Sequence, residues 1–123
     1  MNDLVDFSVV GNVGVITINN PPVNALAQAV RQGIQDGVNQ GVADAAVEAL
    51  VIVGGGRTFI AGADISEFGK PLAAPDLNSV LTSIEDSSKP VVAALHGTAL
   101  GGGLEVALAC HYRCAVAQVA VGL

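Results

Sequence analysis

Glu105 is the residue best placed to do chemistry. It stands among Leu104, Val106, Ala107, Leu108, Ala109 and Cys110, directly after Gly101-Gly102-Gly103. At 3.6 residues per turn those apolar side chains cover nearly every face, the pattern of a buried helix with one carboxylate in it. A carboxylate so enclosed is costly unless it is paired or functional. Burial is expected to raise its pKa and suit it to acid–base work near neutral pH. The glycines leave the backbone N–H groups at the helix start uncovered. Together with the positive end of the helix dipole, those groups can receive a developing negative charge. Two plainer readings stay open: a buried Glu105 hydrogen-bonded to a neighbouring loop, and a glycine run that packs closely against a strand.

A second segment of the same character is Phe59-Ile60-Ala61-Gly62-Ala63-Asp64-Ile65. Asp64 follows Gly62-Ala63 and reads as the N-cap of a helix or turn rather than as a direct catalyst. His96 stands at a strand end before Gly97 and reads as a packing or hydrogen-bonding residue. Cys110 and Cys114 lie close together in an apolar stretch. Metal ligation would need further ligands, and His111 would point away from at least one thiol, so both cysteines are expected in the core and no metal site is implied. Dinucleotide and nucleotide sites fail on spacing. G-x-G-x-x-G is broken by Phe59 when started at Gly54 and by Val106 when started at Gly101. Gly69-Lys70 is followed by Pro71 and preceded at P-loop spacing by Asp64, which breaks that motif too.

The elements that must position these segments alternate between strand and helix. Residues 7–10 and Val13–Ile18 read as a hairpin around Gly11-Asn12, stopped by Pro21-Pro22. Asn24 is expected to cap the next helix. In that helix Leu26, Val30, Ile34 and Val38 form an apolar stripe, with a glycine ladder of Gly33, Gly37 and Gly41 beside it. Interior glycines cost about 1 kcal/mol each relative to Ala, so either another backbone packs closely there or the helix is weak. Residues 49–53 read as a strand buried on both faces, followed by a long loop from Gly54 through Ser66. A helix is predicted over residues 76–86, where Leu77, Val80, Leu81 and Ile84 share a face and Lys89-Pro90 ends the run. Residues 91–95 read as another buried strand, residues 101–110 as a helix and residues 112–117 as a strand. The order β-β-α-β-α-β-α-β implies an α/β architecture.

Composition narrows the function further. The 123 residues fit one small domain or a piece of a larger one, and 51% apolar against 13% charged residues can bury a core. A net charge of −6, with no basic run, argues against a nucleic-acid partner. No apolar run approaches the length of a membrane span, and the two acids without a base in residues 1–6 do not make a secretory signal. The cytoplasm is the expected location.

Both glycine-rich segments resemble signatures of the enoyl-CoA hydratase/isomerase (crotonase) superfamily. Ala61-Gly62-Ala63-Asp64-Ile65 looks like its first motif, and His96-Gly97-Thr98-Ala99-Leu100-Gly101-Gly102-Gly103-Leu104-Glu105 like its second. Asn19-Asn20-Pro21-Pro22-Val23-Asn24-Ala25-Leu26 is similar to the family's opening, and the likeness runs from about Phe7 to Leu123. The wording from Ala94 through Arg113 is closest to the hydratase part of multifunctional fatty-acid oxidation proteins, which carry a 3-hydroxyacyl-CoA dehydrogenase region further along. The resemblance implies a ClpP/crotonase-like spiral of β-β-α units, of which residues 1–123 would be the N-terminal portion of a single domain.

It also implies roles. The backbone N–H groups of Ala63 and Gly102 would form the oxyanion hole for a thioester oxygen. Glu105 would be the first catalytic glutamate, positioning or activating the water that adds to the double bond. Ala61 and Ile65 would line the adenine and pantetheine side through their backbone, with Gly62, Asp64 and Gly101 also in the acyl-CoA site. A second glutamate is expected in a Pro-Glu step just after Val121-Gly122-Leu123. Where many relatives have a basic residue after the first motif, this chain has Ser66, leaving Arg57 or Lys70 to meet a phosphate. No cofactor is implied, because coenzyme A is part of the substrate. Homo-oligomers, a trimer or a dimer of trimers, or membership of a longer multifunctional chain are expected. The activity implied is hydration of a trans-2-enoyl-CoA in fatty-acid β-oxidation. Isomerase chemistry on the same fold is the alternative, as is a catalytically incomplete piece that binds CoA weakly or self-associates.

Overall fold

The computed structural model describes residues 2–123. Strands β1 (Val5–Val10) and β2 (Val13–Ile18) form the expected hairpin, with Gly11 at φ +62° in the turn. Helix α1 (Gln28–Ala43) leads to β3 (Ala49–Gly54), and β4 (Thr58–Ala61) follows at once. A 3₁₀ turn (Ile65–Glu67) and a loop reach α2 (Leu77–Glu85) and β5 (Val91–Leu95). The chain closes with β6 (Thr98–Leu100), α3 (Gly102–Ala109), β7 (Tyr112–Ala115) and β8 (Val121–Gly122).

Two sheets result. One has the order β1-β2-β3-β5-β7, parallel apart from the opening hairpin, and the other is an all-parallel β4-β6-β8. In the larger sheet Leu50 pairs with Gly14 and Val91, and Ile52 with Ile16 and Ala93, so these residues share one fully buried face. The other face, with Val15, Val51 and Val92, is only half-buried. This corrects the expectation for β3. Its apolar run is continuous, but only alternate residues are sealed.

Helix α1 lies across the buried face with Val30, Ile34 and Val38 facing inward. The glycine ladder has a direct cause. A Cβ on Gly33 would stand 2.4 Å from Val5, one on Gly37 2.9 Å from Ile16, and one on Gly41 2.2 Å from Leu50. Each glycine therefore seats a side chain from β1, β2 and β3 in turn. The close partner is strand side chains, and the helix is tightly held rather than weak.

Asn24 does not cap α1. The N-cap is Ala27, with no side-chain bond. The segment before the helix instead runs alongside β4, where Leu26 N–H donates to Gly62 (2.9 Å) and Ala61 N–H to Val23 (3.0 Å). Asn24, 2% exposed and at φ +56°, donates its side-chain amide to the carbonyls of Gly55, Thr58 and Phe59 and accepts from Asn20 N–H. The helix end is met from far along the chain, where Glu67 Oε2 accepts the Gln28 N–H at 2.8 Å.

Helix α2 matches its sequence signals closely. Asp76 caps it by accepting from Ser79 N–H at 2.8 Å, and Val80 and Ile84 are buried. Lys89, beyond its end, donates Nζ to the carbonyls of Gly41 and Asp44 and so satisfies the last turn of α1. The cysteines divide. Cys110 is buried, whereas Cys114, on the exposed edge strand β7, is not in the core as expected. Among the described residues no helix is long and apolar enough to cross a membrane.

Candidate active site

The two glycine-rich segments meet because of strand register. Parallel strands β4 and β6 pair Ala61 with Leu100. Immediately beyond, Gly62 and Gly101 both take positive φ (+85° and +53°), a conformation that glycine alone adopts readily. A Cβ on Gly101 would lie 3.7 Å from the Gly62 Cα, so the two turns sit side by side. The next residues, Ala63 and Gly102, thereby arrive together. Gly102 is the first residue of α3, where N–H groups have no intrahelical acceptor. Neither the Ala63 nor the Gly102 N–H is engaged by a backbone carbonyl among the described residues.

The three glycines of the second segment serve three purposes. Gly101 makes the turn and donates its N–H to Gly122 at 2.8 Å. Gly103 packs against β4, since a Cβ there would stand 2.1 Å from the Ile60 carbonyl oxygen. Gly102 is half-buried, and a Cβ there would meet side-chain ends, Leu26 at 2.8 Å and Leu77 at 3.1 Å. The close-packing reading of the glycine run holds for Gly103.

A cavity of about 310 Å³ opens at this point. Ala63, Gly102 and Glu105 line one side, and Leu26 and Leu77 form an apolar wall. Phe68 and Leu72 stand at the rim, with Arg31, Asp64 and Glu67 between. Glu105 Oε2 lies 4.0 Å from where a Gly102 Cβ would be. A group held by the Gly102 N–H is therefore within reach of the carboxylate.

Glu105 is not buried. Helix α3 is open on one side, leaving Glu105 and Leu108 exposed while Gly103, Val106, Ala107 and Ala109 are sealed against the core. The apolar pattern all round the helix overstates its burial, because the described residues cover only one side. The expected effect of burial on its acidity loses its premise.

The other candidates separate. Asp64 lines the cavity, but Ser66 occupies its carboxylate through Oγ (2.7 Å) and N–H (2.9 Å), and these bonds hold its pKa below the usual carboxylate value. It caps the 3₁₀ turn, as expected. Ala61, Gly62 and Gly101 are half-buried and do not line the cavity. Ile65 points away into solvent, 77% exposed. Arg57 and Lys70 are exposed and do not line the cavity. His96 bonds through Nε2 to the Gly56 carbonyl at 2.9 Å, joining two loops as a hydrogen-bonding residue should. His111 accepts from Val91 N–H at Nδ1 and meets the Glu85 carbonyl through Nε2, so both ring nitrogens are engaged by backbone. Burial pushes the Cys110 thiol up to about 12.

Sequence reasoning missed Arg31 and Glu67. Arg31 is 5% exposed and pairs with Glu67 at 3.0 Å. The only local signal was a lone cation in a helix otherwise rich in Gly, Val and Gln.

Residues 9–123 match the family model for enoyl-CoA hydratase/isomerase. The chain belongs to that family. It is 50% identical over 112 residues to the peroxisomal bifunctional enzyme of Danio rerio, covering 91% of this chain and 16% of that protein. It is 43% identical over 118 residues to the "Probable enoyl-CoA hydratase" of Bacillus subtilis, covering 90% and 46%. Among solved structures, an enoyl-CoA hydratase/isomerase family member aligns with TM-score 0.87 at 33% identity, over 97% of this chain and 50% of that one. An enoyl-CoA hydratase/carnithine racemase from Magnetospirillum magneticum aligns with TM-score 0.87 at 28% identity, over 99% and 49%. The fold is the N-terminal portion of the crotonase-type α/β fold, as expected. The chain spans about half the length of these solved relatives and less of the bifunctional one.

Proposed function

We propose that this chain carries the thioester-binding and enolate-stabilising part of an enoyl-CoA hydratase-type lyase acting in fatty-acid β-oxidation. The observation that supports this is the pair of free N–H donors at Ala63 and Gly102, beside Glu105 on one cavity. In the reaction, water adds at C3 of a trans-2-enoyl thioester and the C2–C3 π electrons move onto the thioester oxygen as an enolate. Two N–H groups aimed at that oxygen stabilise the charge as it develops. Glu105 takes the proton of the attacking water. The enolate then collects a proton at C2 from the second acid, which the family resemblance puts after Leu123. Asp64 lines the same cavity, while Ala61 and Ile65, outside it, would meet the coenzyme A part of the substrate through their backbone, and Gly62 and Gly101 would shape the turns that place Ala63 and Gly102. Coenzyme A arrives as part of the substrate, so no cofactor is required.

The partner of this site is an acyl-CoA thioester, within a homo-oligomer or a longer multifunctional chain. The working compartment would be aqueous, the cytoplasm from the sequence reading or the peroxisome from the names of several relatives. Isomerase chemistry on the same site is distinguished by its product. A second reading, of a catalytically incomplete self-associating unit, is favoured by one observation. Leu108, Tyr112, Val116, Val121 and Leu123 are all 46–90% exposed along the last three elements and the residues that follow them.

The test is turnover of crotonyl-CoA and of a 3-enoyl-CoA by the wild-type chain and Glu105→Gln. Hydration of crotonyl-CoA lost at least about 100-fold in the variant supports the hydratase. Conversion of the 3-enoyl thioester alone supports the isomerase. Well-folded protein with no turnover of either, and concentration-dependent mass in solution, sinks both in favour of self-association.

A further inference from the structure

Arg31 makes more contacts than an ion pair needs. Its Nη1 donates to Glu67 Oε1 (3.0 Å) and to the Leu26 carbonyl (2.7 Å), its Nε to Pro75 (2.8 Å) and its Nη2 to Ala73 (3.0 Å). One buried guanidinium therefore fixes both ends of the loop over residues 67–75 to Leu26, on the cavity wall. Between those anchors the loop presents Phe68 and Leu72, each 68% exposed and each at the cavity rim. Neither side chain has a core to pack on. Their positions are set by the anchored backbone. A planar fork that satisfies four acceptors at once is a geometry a lysine cannot reproduce.

We propose that Arg31 is the positioning residue for acyl-tail recognition. It holds the loop over residues 67–75 so that Phe68 and Leu72, facing Leu26 and Leu77, form an apolar trough. That trough takes the chain of a thioester whose carbonyl sits at Ala63 and Gly102. The inference rests on the thioester reading above and adds to it a chain-length dependence controlled from α1. Arg31 does not touch the reacting atoms. Its effect comes through where it puts Phe68 and Leu72.

The experiment is equilibrium binding of butyryl-, octanoyl- and dodecanoyl-CoA, with free coenzyme A as the reference. The proteins are the wild-type chain, Arg31→Lys and the double variant Phe68→Ser/Leu72→Ser. Wild type should bind about tenfold or more tightly at C12 than at C4, since each buried methylene favours association. Both variants should lose this slope, with a loss within about threefold at C4 and about tenfold at C12. Chymotryptic cleavage after Phe68 should also speed up in Arg31→Lys while the helical signal is unchanged. If Arg31→Lys does not fold, Glu67→Gln takes its place, and the surface double variant stands independently. Losses equal at every chain length would mark Arg31 as merely structural and overturn the proposal. So would a wild-type protein that binds all three thioesters equally, although the thioester reading would survive that result. Absence of binding to any thioester by folded wild type removes both.

Discussion

Ala61 pairs with Leu100 across β4 and β6, and the residues two places beyond each, Ala63 and Gly102, face one cavity. The site is thus set by strand register, and the equal offset after each strand delivers two donors to one place. The glycine positions then have unequal tolerance. Gly102→Ala puts a methyl against the flexible ends of Leu26 and Leu77, whereas Gly103→Ala drives it into the Ile60 carbonyl. Thermal melts with acyl-CoA titrations should show Gly102→Ala folded, losing about 1 kcal/mol or less, yet binding thioester at least about tenfold more weakly. Gly103→Ala should lose about 3 kcal/mol or fail to fold, because backbone cannot move aside as a side chain can.

Glycine to alanine inside an exposed helix ordinarily stabilises by about 1 kcal/mol. In α1 the sign should reverse. Gly41→Ala places its methyl 2.2 Å from Leu50 Cδ2, so overpacking of about 1–3 kcal/mol is expected. Combining Gly41→Ala with Leu50→Ala should cost less than the sum of the two single changes. Urea denaturation of the four proteins measures this, and strict additivity would contradict the seating of Leu50 on Gly41.

Asp76 caps α2, and hydrogen bonds from the Ser79 side chain and backbone hold its pKa below the ordinary 3.8. Its folded pKa is lower than its unfolded one. The stabilisation it supplies is therefore complete above about pH 4 and fades as pH falls through the depressed value. Asp76→Asn keeps a capping oxygen without a titrating proton. Melting temperatures from pH 6 down to pH 2 should fall less steeply for the variant than for wild type, and parallel curves would refute the assignment.

The thiols should be distinguished by alkylation under native conditions. Cys110 is 4% exposed with its thiol pushed up to about 12, while Cys114 lies on an exposed strand. Mass spectrometry after mild treatment at pH 8 should find one adduct, on Cys114, and two only after unfolding.

These contrasts mark where the sequence was legible. Helix α2 could be read because its signals are local, with a cap at Asp76, apolar residues at helical spacing and a stop at Lys89-Pro90. The hairpin could be read from its turn. Strands β4 and β6 could not, since four and three residues carry too little periodicity and what makes them strands is each other, some forty positions apart. Asn24 has the residue type of a cap, but its partners at Gly55, Thr58 and Phe59 lie 31 to 35 residues away. Ala63, Gly102 and Glu105 were found through motifs and do share a cavity. Arg31 and Glu67 are 36 residues apart, and a lone cation in α1 does not say which carboxylate it meets.

Glu67 joins two events that would otherwise be separate. One carboxylate oxygen receives the first N–H of α1, and the other holds Arg31 and hence the loop at the cavity rim. Lifting the loop withdraws the acceptor from Gln28. Opening of the rim and fraying of the first helical turn are therefore one equilibrium seen from two ends. The Gln28 amide, remote from any reacting atom, becomes a built-in gauge of occupancy, with hydrogen exchange that slows as the cavity fills.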